Sequence, residues 1–153
     1  MKTYLIYFSL VVMAITLTST LALAENPDTV MGIWLVPEKD SKVEIYKEED
    51  GTYSGKIVWL QEPNDSDGNP IKDTENKDKL LAERKIFGMK IIEGFAYNSE
   101  TDQWEGGLIY NPRNGKTYSC FMKLMEDGKL FLRGHIKGIK FLGKTMYWEP
   151  TTL

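Results

Sequence analysis

Short β-rich segments that end at turn residues dominate this sequence, and they restrict its fold more than any other feature. Val, Ile, Thr and aromatic residues concentrate in them, and no stretch shows a sustained helical period. Several end at acidic turns that finish with glycine, such as Glu49-Asp50-Gly51 and Glu126-Asp127-Gly128. The eight predicted strands are residues 33–36, 43–46, 53–60, 89–97, 103–110, 116–124, 129–136 and 141–148.

The links between these segments predict how the strands pair. At a spacing of roughly 11 residues, most links suit a hairpin and are too short for a Greek-key crossing. We therefore expect an all-β fold, an eight-stranded antiparallel up-and-down barrel. Such a barrel has an interior that side chains can fill or that can hold one small ligand.

One long interruption, residues 61–88, separates the third and fourth predicted strands. It opens with a polar, turn-rich stretch at residues 63–70. Asp73 or Asn76 is expected to cap a short helix that runs through Glu83, with Leu80 and Leu81 as its apolar edge. In a barrel, this long loop or short helix would lie across one mouth.

The N terminus has the layout of a cleavable secretory signal peptide. Lys2 precedes an apolar stretch at residues 5–17, and Ala22 and Ala24 occupy the small-residue positions of a cleavage site. The alternative is a membrane anchor, but the apolar core has 13 positions and a spanning helix needs roughly 20. We predict a signal peptide at residues 1–24, one mature domain at residues 25–153 without a membrane span, and a periplasmic or secreted location.

Charge and cysteine content narrow the function classes. Without Lys2, the chain has 18 basic and 22 acidic side chains, so its net charge is −4 and we expect no nucleic-acid partner. Cys120 is the only cysteine and cannot form an internal disulfide. Its strand-like surroundings favour a buried apolar role over a reactive thiol.

The sequence contains no recognisable catalytic or metal-binding motif. Residues 65–69 look like part of a calcium loop, but the glycine and the last acidic ligand of an EF-hand are out of place. His135 is the only histidine, and no Gly-x-Ser-x-Gly motif supplies a nucleophile beside it. A hydrolase would need two carboxylates from the set Glu93, Asp102 and Glu105. We name no catalytic residue, metal ligand or cofactor, and an enzyme is the less favoured class.

Alternation along the strands groups the aromatic residues by face. One predicted row is Trp104, Gly106, Leu108 and Tyr110, and another contains Tyr118, Cys120 and Met122. These rings either fill the core or line a cavity, as in most small-molecule sites. Mid-strand glycines at 106, 107 and 134 either permit sharp coiling or leave room beside the rings.

Four residues are the predicted ligand contacts: Trp59, Tyr110, Tyr118 and Arg133. The two tyrosines flank the turn at residues 111–116, and Trp59 stands where the long loop begins. An inward Arg133 would need a carboxylate, from the protein or from an acidic ligand such as a fatty acid. The alternative is that Arg133 points outward, and alternation alone does not decide because Phe131 makes both faces partly apolar.

With these segments in view, the chain resembles the DUF2147 family of uncharacterised exported bacterial proteins over nearly the whole mature sequence. The combination of motifs carries the resemblance. They are Met31-Gly32-Ile33-Trp34-Leu35, Val43-Glu44-Ile45-Tyr46, Gly55-Lys56-Ile57-Val58-Trp59-Leu60, Asp73-Thr74-Glu75-Asn76, Trp104 to Pro112, Asn114 to Ser119, and Leu132-Arg133-Gly134.

The resemblance implies a lipocalin-like barrel of the calycin type. Gly32-x-Trp34 is similar to the lipocalin signature, in which a tryptophan closes one end of the barrel, so Trp34 is expected to be buried. A basic residue of the last strand packs over that ring in lipocalins, and Lys144 holds the matching position here. The family implies no reaction or ligand.

Three functions remain open from the sequence. The first is a binding protein that holds a small, largely apolar or amphipathic molecule. The second is a structural or interaction protein with a filled barrel that acts through a surface such as the loop at residues 61–88. The third is a hydrolase with a carboxylate site.

Overall fold

The chain forms a closed barrel of eight antiparallel strands in which every strand pairs with its neighbours in sequence and the last pairs with the first. The structure is a computed structural model that describes residues 26–136 and 139–153. The predicted signal peptide lies outside them. The strands are β1 Gly32–Leu35, β2 Ser41–Lys47, β3 Tyr53–Leu60, β4 Lys90–Asn98, β5 Gln103–Asn111, β6 Lys116–Leu124, β7 Leu130–Ile136 and β8 Ile139–Thr151. The predicted up-and-down barrel is confirmed.

A short 3-10 helix, Pro27–Val30, covers one end of the barrel. Two buried indoles attach to its carbonyl groups: Trp34 Nε1 donates to the Val30 oxygen at 3.0 Å, and Trp104 Nε1 donates to the Pro27 oxygen at 3.1 Å. Trp34 is 4% exposed, so its predicted burial is confirmed. The lipocalin-like expectation for Lys144 is wrong, because its side chain is 76% exposed and lies beside Glu38.

The hydrophobic core fills the half of the barrel next to this helix. Inward positions alternate along the strands, as at Val43 and Ile45 of β2 and at Leu130 and Leu132 of β7, all at most 1% exposed. The largest fully buried side chains are Trp104, Tyr53 and Phe95. Their packing in a single cluster accounts for most of the barrel's cohesion.

A β-bulge in β5 corrects the predicted face of that strand. The register with β6 shifts between Trp104 and Gly107, and Gly106 adopts a φ of +77°, which glycine accepts most readily. Past the bulge, Ile109 faces inward and is 7% exposed, whereas Leu108 faces outward and is 44% exposed. The extra residue therefore breaks the predicted row of Trp104, Gly106, Leu108 and Tyr110.

The segment between β3 and β4 is mostly irregular, with one 3-10 helix at Leu81–Glu83. The predicted cap is wrong: Leu80 precedes this helix without a side-chain cap, and Asp73 is fully buried elsewhere. Among the described residues, no helix has the length and apolar character to cross a membrane.

Candidate functional site

The half of the barrel opposite the Pro27–Val30 helix is hollow. It contains a cavity of about 950 Å³ that opens among the β1–β2, β3–β4 and β5–β6 connections. The wall below the opening is mainly apolar, formed by residues such as Ile57, Leu60, Ile109, Met146 and Trp148. Polar and charged residues form the rim, including Glu38, Asp40, Arg113, Asn114 and Lys144.

Gly134 keeps part of this cavity open. A Cβ atom built on Gly134 would lie 3.6 Å from the Tyr118 Cβ and 3.8 Å from the Ile109 side chain, which is ordinary contact. The glycine is therefore not required by close packing. Gly107 differs, because its Cβ would lie 2.0 Å from the Phe95 ring. The two predicted roles of the mid-strand glycines therefore apply at different positions. Gly106 permits the bulge, Gly107 allows close packing on Phe95, and Gly134 leaves room in the cavity.

An ion pair spans the mouth of the cavity. The Arg113 guanidinium, on the β5–β6 turn, donates to the Asp40 carboxylate, on the β1–β2 connection. These two connections lie on opposite sides of the closed barrel, because four strands separate them in either direction. Both side chains retain contact with solvent, at 54% and 35% exposed, so the pair is weak enough to open.

A buried carboxylate attaches the long β3–β4 loop to the barrel. Asp73 is 0% exposed and accepts a hydrogen bond from the Tyr110 hydroxyl, which lies 2.7 and 2.8 Å from its two carboxylate oxygens. Its Oδ2 also accepts from Arg84 Nε at 3.0 Å and from Asn76 Nδ2 at 2.9 Å. The Arg84 guanidinium lies 5.0 Å from the centre of the Tyr110 ring. These contacts hold the loop beside the mouth.

The Tyr110 hydroxyl is fully engaged in this network. Burial and the hydrogen bond to Asp73 raise the pKa of Tyr110 above its usual value, so the phenol stays protonated. Asn76 Nδ2 also donates to the same hydroxyl at 3.0 Å. The Tyr110 hydroxyl is therefore occupied by contacts within the protein.

Close approach of the loop to the β5–β6 turn requires a glycine. Gly115 has a φ of +64°, and a Cβ atom there would lie 1.9 Å from the backbone oxygen of Glu75. Any side chain at this position would push the turn and the loop apart. Residues 73–76, Tyr110 and Gly115, which are distant in sequence, thus form one packed unit.

The structure separates the four predicted ligand contacts into two pairs. Tyr110 and Tyr118 line the cavity, and the Tyr118 hydroxyl accepts from Asn114 Nδ2 at 2.9 Å. Trp59 is not part of the lining; its ring lies under Lys42 Nζ at 5.1 Å. Arg133 is also outside the lining and donates to Thr145 Oγ1 at 3.2 Å. Ligand contact by any of the four stays a prediction.

Sequence reasoning missed two kinds of cavity residue. Met146 and Trp148 share a face of β8 by simple alternation, which could have identified them. The mouth-spanning pair of Asp40 and Arg113 is 73 residues apart and has no local pattern that signals it.

The buried cysteine and the three predicted carboxylates do not contribute reactive groups to the cavity. Cys120 is 3% exposed, and burial raises the pKa of its thiol to about 12. Glu93, Asp102 and Glu105 do not line the cavity, so they form no carboxylate pair inside it. His135 lies at the rim. No group of three or more metal-ligating side chains occurs within the part of the chain that the structure describes.

Comparison with known proteins places the chain in a family. Residues 32–150 match the model of DUF2147, described as uncharacterised proteins conserved in bacteria. The chain belongs to this family. The barrel is also similar to a solved structure described as protein HP1028 from Helicobacter pylori, a member of the lipocalin family, with a TM-score of 0.65 and 24% identity over 80% of this chain and 82% of that one. This likeness establishes a lipocalin-like fold for the DUF2147 barrel. No curated protein matches the chain.

Proposed function

We propose that this DUF2147 protein binds a small, largely apolar molecule in the open half of its barrel. The observation that carries the proposal is the cavity of about 950 Å³ above a tightly packed core. Sites for small molecules usually have volumes of roughly 300–1,000 Å³, apolar walls and a few polar groups. A barrel whose only task was structural would gain stability from filling this space with side chains.

The distribution of polarity indicates how a ligand would lie. Its apolar part would contact the wall residues Ile57, Ile109 and Met146, because removal of apolar surface from water supplies the affinity. Its polar end would remain at the rim, where the Tyr118 hydroxyl and Asn114 offer hydrogen bonds. This orientation favours an amphipathic molecule over a fully polar one.

The proposed site of action is outside the cytoplasm. The support is the sequence alone: the short apolar stretch at residues 5–17 and the small residues Ala22 and Ala24. Sequencing the N terminus of the exported protein tests this, with Glu25 as the expected first residue. Recovery of an unprocessed chain in the membrane fraction would contradict it.

A pair of tryptophan variants on one strand tests the cavity. Ile109→Trp places an indole in the cavity. Leu108→Trp places the same ring at the preceding position, on the outer face of the barrel. We expect Ile109→Trp to weaken the binding of diphenylhexatriene, a fluorescent hydrocarbon, at least ten-fold, and Leu108→Trp to leave it unchanged. Equal binding by both variants, or no saturable binding to the unaltered protein, would contradict the proposal for this ligand class.

Native mass spectrometry identifies the natural ligand. The protein purified from its own host, without detergent, is expected to carry a co-purified mass that Ile109→Trp lacks and Leu108→Trp retains.

A further inference from the structure

Exposed apolar side chains concentrate in one stretch of the β3–β4 loop, residues 77–87, which we call the tip loop. Leu80 is 87% exposed, Phe87 is 57% exposed and Leu81 is 44% exposed. The other large apolar side chains that are exposed in the described part of the chain stand apart from one another, such as Met31, Leu108 and Met125. Single exposed residues of that kind are ordinary, whereas three within eight positions mark a contact surface.

The tip loop is basic in an acidic protein. Lys77, Lys79, Arg84 and Lys85 outnumber Asp78 and Glu83, so the loop has a net charge of +2 (4 − 2), whereas the whole chain has −3. Arg84 is committed to Asp73, and Glu83 pairs with Lys72 at 2.5 Å. Within the described residues, Lys77, Lys79 and Lys85 make no ion pair. Asp78 lies between Lys77 and Lys79 in the sequence, so three lysines and one carboxylate that forms no ion pair with a described residue accompany the exposed leucines and phenylalanine.

The backbone holds the tip loop in this exposed position. The Ala82 amide donates to the Asp78 oxygen at 2.9 Å, and the Arg84 amide donates to the Leu81 oxygen at 3.1 Å. The Leu80 amide donates to Asp78 Oδ1 at 2.9 Å. The ion pair between Arg84 and Asp73 fixes the end of this turn.

We propose that the tip loop docks the protein on an anionic lipid bilayer, with the cavity mouth next to the membrane. Leucine and phenylalanine side chains enter the acyl boundary, and lysines beside them are attracted to negative headgroups. Ile86, at the end of the same loop, lines the cavity, so docking brings the mouth close to the lipid phase. A protein partner is the alternative occupant, but the net positive charge of the tip loop favours a surface of uniform negative charge. Docking does not depend on ligand binding and is tested separately.

Co-sedimentation with vesicles tests this surface. The vesicles contain palmitoyl-oleoyl phosphatidylcholine alone or with a quarter phosphatidylglycerol, and all proteins are produced from the full chain with a common N terminus verified by mass spectrometry. We expect binding to the anionic vesicles only. Leu80→Ser should reduce it about five-fold, and Lys77→Ala with Lys79→Ala about ten-fold. Met125→Ser, in the β6–β7 turn at the other end of the barrel, is the matched control and should change nothing.

Two outcomes would overturn the proposal. One is absence of binding to anionic vesicles at low salt, which would leave a protein partner as the occupant of the loop. The other is a loss of binding that is equal for Leu80→Ser and Met125→Ser. Diphenylhexatriene binding in solution should be the same for all these variants, so failure of docking and failure of the cavity site are distinguishable.

Discussion

Replacing Asp73 with asparagine should loosen the mouth of the barrel. The carboxylate is fully buried and accepts hydrogen bonds from Tyr110, Asn76 and two nitrogens of Arg84. An asparagine of the same shape has no charge and presents an N–H₂ group to partners that are themselves donors. Arg84 therefore loses its counter-ion, and at least one donor loses its acceptor.

The magnitude follows from these contacts. A hydrogen bond to a charged group contributes about 1.5–3 kcal/mol, and breaking a fully buried ion pair costs about 3–5 kcal/mol. Arg84 is 36% exposed and is partly rehydrated, which lowers the cost. We expect a loss of about 3 kcal/mol, which for a domain of this size lowers Tm by about 10 °C.

Thermal unfolding and hydrogen exchange together measure this loss. Tyr110→Phe removes only the hydroxyl and should cost about 1 kcal/mol. Glu75→Gln, an exposed carboxylate of the same loop, is the matched control and should have little effect. Exchange of the Asp73 and Ile86 amides, which donate to Arg84 and Ile71, should accelerate in Asp73→Asn before that of barrel amides. A Tm within 2 °C of the unaltered protein, with these amides unchanged, would refute the structural role of Asp73.

Three further changes test other parts of the fold. Trp34→Ala should lower the free energy of unfolding by about 3–5 kcal/mol, and a shift of only a degree or two in the Tm of thermal unfolding would contradict the end-closing role of this ring. The Tyr53 hydroxyl and Lys47 hold the pKa of Asp28 below its ordinary value of 3.8. The contribution of this carboxylate to folding stability is therefore complete above pH 3.8 and is lost as pH falls through the lowered pKa. Asp28→Asn should therefore be less stable than the unaltered protein at pH 7, and the difference should vanish in strong acid; a constant difference would contradict this. Cys120 should react with an aromatic disulfide reagent at pH 8 only after unfolding, and rapid reaction of the native protein would contradict its burial.

The strands could be predicted from the sequence because their ends are marked locally. A turn such as Glu49-Asp50-Gly51 fixes where β2 stops and β3 begins, without reference to the rest of the chain. The face of each strand was less certain. A single bulge at Gly106 exchanges the inward and outward positions in the part of β5 that follows it. Nothing in the local pattern distinguishes this bulge glycine from a packing glycine such as Gly107.

The surroundings of Arg133 show why alternation alone did not decide its orientation on β7. Phe131 suggested that both faces were apolar, but its ring packs on the outside against Phe121 and Tyr147, with ring centres 5.7 and 5.5 Å apart. An aromatic cluster on the outer face is a contact among β6, β7 and β8, and such contacts between strands are not visible in one segment. Arg133 lies beside this cluster and donates a hydrogen bond to the Thr145 hydroxyl.

The role of Asp73 was beyond local reasoning for a similar cause. An aspartate followed by Asn76 and a short apolar stretch is typical of a helix start. Its partner Tyr110 is 37 residues away, and the contact exists only because the closed barrel brings β5 beside the loop. The volume of the cavity is likewise a property of the closed barrel, since alternation gives the direction of side chains but not the space between them.

The division of the barrel into a packed half and a hollow half gives the protein two regions with different tolerance to mutation. Substitutions among Val43, Phe95, Trp104 and Leu132 act on folding, since each is fully or almost fully buried in the core cluster. Positions such as Leu60, Gly134 and Met146 border empty space, so a change of side-chain size there alters the shape of the cavity at little cost in stability. Substitution at these positions can therefore change the shape of the cavity while the fold stays the same.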